Sequence, residues 1–107
     1  MQLAGKKLGL MLSTAPEHPN LTTAVGLAEA ALERGADVYL YLIDDGVRAL
    51  ADRRLRALPA RGVKLFACAY GCQKRRIPLE DAADVTYCGL VVLTDVINGT
   101  DRFIALN

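Results

Sequence analysis

A chain of 107 residues that is 52% hydrophobic, only 6% aromatic and free of Trp must build one domain around Ala, Val, Leu and Ile. Its 13 basic and 12 acidic residues leave a net charge of +1, which excludes a general attraction to nucleic acid or a membrane surface. No apolar run approaches the roughly 18 residues of a membrane span, and the first nine residues lack the apolar stretch of a signal peptide. The expected compartment is therefore the cytoplasm, where three cysteines, an odd number, are expected as free thiols.

In chain order, residues 8–12 form a short apolar run that ends in Ser13-Thr14-Ala15-Pro16, a first strand and its loop. From residue 20 to 34 the period becomes helical, with Ala24, Val25, Ala28, Ala31 and Leu32 on one stripe. Asn20 or Thr22 can cap this helix and Gly35 can end it. Gly26 inside it weakens it, and close packing on a sheet would account for its presence. Residues 38–43 are continuous, apolar and β-prone, a second strand closed by Asp44-Asp45-Gly46. Residues 47–58 suggest one or two short helical pieces, closed by Pro59.

Residues 63–67 predict a third strand running into Cys68. A short helix follows over about 71–76, Pro78 interrupts it, and 79–83 can form another turn. Residues 90–93, Leu-Val-Val-Leu, predict a fourth strand, followed by a short helix from a Thr94 cap to Asn98. Residues 103–106 predict the last strand. Strands alternating with helices indicate an α/β fold with a parallel sheet covered on both faces. The whole of 1–107 reads as one domain, and its apolar surplus suggests oligomerisation.

In open parallel sheets, ligands bind beyond the carboxyl ends of the strands. That edge collects Ser13, Thr14 and His18, then Asp44, Asp45 and Gly46, then Cys68 and Cys72, then Thr94 and Asp95. Cys68 is the sharpest of these. A thiol at a strand end and just before a helix meets unpaired N–H groups, with Lys74-Arg75-Arg76 one to two turns further on. Both features favour thiolate, although a free cysteine can equally be a small buried hydrophobe. Cys72 could resolve Cys68 chemistry, share a metal, or simply pack. Cys88, before Gly89, reads as packing. No G-x-G-x-x-G and no Walker loop is present, so nothing supports nucleotide binding.

Taken together, these stretches resemble the DsrE/DsrF-like family, which includes the TusD type of sulfur-relay subunit. The likeness rests on Leu12-Ser13-Thr14-Ala15-Pro16, on Ala30-Ala31-Leu32-Glu33-Arg34-Gly35 and on Asp45-Gly46-Val47. It also rests on Cys68 followed by Lys74-Arg75-Arg76-Ile77, and on Gly89-Leu90, Leu93, Asp95 and Asp101-Arg102-Phe103-Ile104. The resemblance implies a three-layer α/β/α sandwich with about five parallel strands in a flavodoxin-like arrangement, and a trimeric or hexameric homo-oligomer. It further implies transfer of sulfane sulfur from a donor protein, through a persulfide on Cys68, to an acceptor protein. Two features depart from it: Arg76 stands where the family's basic run has glycine, and Cys72 is an addition.

The expected site is thus Cys68 with Cys72 as catalytic thiols and Ser13, Asp45, Gly46, Lys74 and Arg75 as substrate-binding residues. No metal or organic cofactor is expected for a relay. Two other functions fit the same residues. One is a non-catalytic oligomeric subunit of the same fold. The other is a metal or small-molecule sensor built on Cys68, Cys72 and His18.

Overall fold

A computed structural model of the protein describes residues 3–80 and 84–107. The chain runs β1 (Lys7–Leu12), α1 (Asn20–Glu33), β2 (Asp37–Leu42), a 3-10 segment (Asp44–Ala51), α2 (Arg53–Arg56) and a second 3-10 turn (Pro59–Arg61). It continues through β3 (Lys64–Cys68), α3 (Ala69–Lys74), β4 (Val85–Cys88), α4 (Leu90–Gly99) and β5 (Arg102–Leu106). The five strands form one parallel sheet in the order β4-β3-β2-β1-β5. Flavodoxin orders its strands 2-1-3-4-5, but the layering of helices about a parallel sheet is the same.

The strand order dictates the layers. The chain steps outward from β1 to β4, then crosses back to set β5 beside β1. Because such crossovers are right-handed, reversing direction moves the covering helix to the other face. Accordingly α1 packs on β1 and β2, whereas α4 packs on β1 and β5 and seats Val96 and Thr100 over Gly9.

The register explains the core. Leu10 and Leu12 pair with Leu40 and Leu42, which pair in turn with Leu65 and Ala67, so these side chains share one face. All are buried, and α1 lays Leu21, Ala24, Val25, Ala28 and Ala31 on them. Small alanines let the helix approach closely, and each leucine buried contributes about 1.5–3 kcal/mol.

Several expectations change. Residues 90–93 open α4 instead of forming a strand, and the fourth strand is Val85–Cys88. A four-residue apolar run does not separate helix from strand by period alone. Here Gly89 breaks the chain, and the run continues at helical spacing to Val96, which is buried. Thr94 is consequently inside the helix, where its hydroxyl donates to the Leu90 carbonyl at 3.2 Å. The cap of α1 is neither Asn20 nor Thr22. The Asn20 N–H donates to His18 Nδ1 at 3.0 Å, so the imidazole satisfies a free amide of the first turn. The short helix after β3 begins at Ala69, and Pro59 opens a 3-10 turn instead of only closing a helix. Residues 81–83 of the expected turn over 79–83 lie outside the described residues.

Gly26 does not pack on the sheet: it is exposed, and a Cβ there would meet nothing within 4 Å. Gly26→Ala is therefore expected to raise stability by about 1 kcal/mol, read as a higher urea midpoint at unchanged slope.

Candidate functional site

β3 delivers Cys68 to the carboxyl edge of the sheet, where the chain turns directly into α3. Cys68 is extended, with φ −65° and ψ 115°, and acts as the cap of that helix. Its Sγ accepts from the Gly71 N–H at 3.4 Å, the role Ser or Asp more often fills. The residue is only 6% exposed. What it does expose lines a cleft of about 360 Å³ shared with Asp44, Tyr70, Lys74, Arg75 and Leu90.

The expected basic residues Lys74 and Arg75 are thus brought to the same cleft as Cys68. Arg75 is fixed in place: its Nε donates to Asp45 Oδ1 at 2.9 Å, and its Nη1 donates to the Gly71 carbonyl at 3.2 Å. Asp45 therefore acts here by holding Arg75 and tying the 3-10 segment to α3. Lys74 makes no ion pair among the described residues. Arg76 does not line this cleft, and its φ of +58° lies in the left-handed region that glycine occupies freely. The arginine keeps this backbone at a cost of about 1 kcal/mol, which gives a physical sense to a glycine at this point.

Two other expected residues lie elsewhere. Ser13 sits at the β1–β5 end of the edge, where its hydroxyl bonds the Leu106 carbonyl at 3.4 Å and Asn107 Oδ1 at 3.0 Å. Gly46 is buried beneath the first loop, and a Cβ there would overlap the Leu12 carbonyl. Neither lines the Cys68 cleft.

The remaining thiols separate sharply. Cys72, one turn along α3, is fully buried. Burial pushes its pKa up, and the neighbouring Cys68 adds to this against a small opposing pull from Arg75. Cys88 ends β4 directly opposite Cys68 in the parallel register. Burial raises its pKa too, eased by the Tyr41 hydroxyl and reinforced by Cys68. Tyr41 itself is fully buried, and its hydroxyl donates to the Gly89 carbonyl at 2.8 Å. Burial holds its pKa well above the tyrosine range, with Cys88 and Cys68 adding to the shift. Sequence reasoning assigned Tyr41 no role, and it read Cys88 as packing without placing it beside Cys68. The β-prone Val85-Thr86-Tyr87-Cys88 was the available signal, masked by the more apolar run after it.

Among the described residues, no group of three or more His, Cys, Asp or Glu could hold a metal ion. No helix among them is long and apolar enough to cross a membrane.

Solved structures share this architecture. The ychN protein from E. coli superposes with a TM-score of 0.80 at 21% identity, covering 95% of this chain and 99% of that one. A conserved protein of unknown function, BT1422 from Bacteroides thetaiotaomicron, superposes with a TM-score of 0.68 at 16% identity, covering 94% of this chain and 95% of that one. At these identities the likeness speaks for the fold alone. Comparison with curated proteins finds no match. The profile of the DsrE/DsrF-like family matches residues 6–106, which takes in every strand and helix described above, and the chain therefore belongs to that family.

Proposed function

We propose that the protein relays sulfane sulfur as a persulfide on Cys68. The observation that carries this reading is the convergence of Cys68, Lys74 and Arg75 on one cleft at the carboxyl edge of the sheet. The family supports it. In the reaction, Cys68 thiolate attacks the outer sulfur of a donor persulfide, and the electron pair of the broken S–S bond leaves on the donor thiolate. An acceptor thiolate then attacks the same outer sulfur and Cys68 leaves as thiolate, so no net oxidation occurs. The Gly71 N–H and the two cations would face the anionic sulfur. Such chemistry suits a reducing cytoplasm.

Donor and acceptor are proteins in this reading. Tyr70 and Leu90, both largely exposed at the cleft, offer them an apolar rim. Exposed Val91 and Ile97 on α4 extend that surface and support burial between copies of the chain, as a trimer or hexamer. Light scattering checks the assembly.

After incubation with a low-molecular-weight alkyl persulfide, peptide mass spectrometry should find one added sulfur atom on Cys68. Cys68→Ser should lose it and Cys72→Ala should keep it. A folded parent protein that gains no sulfur, or equal uptake by Cys68→Ser, would overturn the relay. The near-complete burial of Cys68 favours a second reading, a non-catalytic oligomeric subunit. That reading predicts no uptake and an unchanged assembly in Cys68→Ser.

A further inference from the structure

Cys88 has no part in the relay, yet it is the thiol nearest in register to Cys68. The two residues are Cα partners of neighbouring parallel strands. Adjacent strands lie about 4.8 Å apart, and paired positions of a parallel sheet point to the same face. That spacing falls inside the range of roughly 4.4–6.8 Å between Cα atoms that a disulfide spans. Cys72 offers Cys68 no such partner. It follows Cys68 by four residues, but its side chain is sealed in the core while Cys68 faces the cleft.

We infer that Cys68 and Cys88 form a reversible intramolecular disulfide under oxidation. Side chains on neighbouring strands start slightly too far apart for an S–S bond, so closure needs a shift of about 1 Å. Both residues end their strands, where that shift is cheapest. Cys68 leads into a six-residue helix, and Cys88 leads into Gly89, around which a Cβ would meet nothing within 4 Å. Cys88 is half-buried and donates only long contacts, to the Ala67 carbonyl at 3.9 Å and the Thr86 carbonyl at 3.7 Å. It is thus held loosely. A bond closed under such strain is easily reduced, which makes it a reversible state and not a structural staple.

With hydrogen peroxide as oxidant, the steps balance. Cys68 thiolate attacks one peroxide oxygen and the O–O bond breaks, giving the sulfenic acid and hydroxide. Cys88 thiolate attacks the Cys68 sulfur, the S–O bond breaks, and the second hydroxide leaves. The two thiol protons convert both hydroxides to water, so two thiols and one peroxide become a disulfide and two waters. A dithiol reductant restores both thiols. While closed, the bond takes Cys68 out of use and protects it from further oxidation.

The test treats the full chain with stoichiometric peroxide, then counts thiols in denaturant and maps peptides without reduction. The free-thiol titre should fall from three to one. The linked peptides should join Cys68 to Cys88, and dithiothreitol should return the titre to its start. In Cys88→Ser, and in Cys88→Ala as a second variant, dimedone should instead trap a sulfenic acid at Cys68. A Cys68–Cys72 link, a link between two chains, or an unlinked oxidised Cys68 in the parent would overturn the inference, as would an unchanged titre. The result stands apart from sulfur loading. A parent that forms this link but takes no sulfur from a persulfide overturns only the relay.

Discussion

Gly46→Ala should destabilise the protein by about 3 kcal/mol, a large share of the stability of a marginal domain. A Cβ at this position would lie 2.7 Å from the Leu12 carbonyl carbon and 3.2 Å from the Ser13 nitrogen, closer still to the Leu12 oxygen. All three are backbone atoms, so no flexible side chain can move aside. The Leu12 carbonyl is also engaged, because it accepts from the Ile43 N–H at 3.0 Å. The Gly46 N–H in turn donates to the Ile43 carbonyl at 2.9 Å. Relieving the overlap means separating the ends of β1 and β2, where the core is fully closed. Urea unfolding measures the loss, and Asp45→Ala serves as the neighbouring control. That variant removes an ion pair whose carboxylate is more than half exposed and should cost about 1 kcal/mol or less. A Gly46→Ala protein as stable as its parent would show that the loop yields at this point.

The second large effect is alkaline destabilisation. Burial raises the pKa of Cys72, Cys88 and Tyr41 in the folded protein. In the unfolded chain, thiols ionise near pH 8.5 and the phenol near pH 10. Above those values the unfolded state has released protons that the folded state still holds. The folded state then binds more protons, so stability falls as pH rises. The stabilising contribution is complete below about pH 8 and is lost progressively above it, at most about 1.4 kcal/mol per pH unit for each group. Up to about pH 10 the buried Cys72 should dominate, the phenol of Tyr41 adding to the decline only beyond that pH, while solvent screening reduces the share of half-buried Cys88. Urea titrations under reducing conditions at about pH 7, 8.5 and 10 measure the decline. Cys72→Ala should flatten the first part of it. Stability that stays level up to pH 10 would contradict the burial of these thiols.

The placement of Cys68, Lys74 and Arg75 in the candidate site was legible because Cys68 ends an unambiguous β-prone run and the basic residues follow within two turns. Lys74 and Arg75 do line its cleft. Asp45 and Gly46, read as binding residues, have evident local tasks instead. The carboxylate holds Arg75, and the glycine makes room for the Leu12 carbonyl. Neither task can be inferred from spacing, because each depends on a segment about 30 residues away in the chain. The strand at Val85–Cys88 was hidden for a different reason. Four residues of modest hydrophobicity next to Leu-Val-Val-Leu lose any comparison made on apolarity alone. Only the pairing of that segment with β3 distinguishes it, and pairing is a long-range property.

Alternating apolar runs, a helical stripe of alanines and a cysteine at a strand end are local patterns. From them the residues by themselves determined the parallel α/β class, the positions of four of the five strands and the place of Cys68 on the carboxyl edge of the sheet. Hydrophobic periodicity acts within a few residues, so it can be read without a structure. What stands beside Cys68 was decided only by the tertiary structure. The strand order brings Cys88 next to it across 20 residues of chain, burial removes Cys72, and Tyr41 reaches the Gly89 carbonyl from β2. Those relations arise from sheet register and from which side of each strand and helix meets the core. A one-residue change of register would undo the pairing of Cys68 with Cys88 without altering any local pattern.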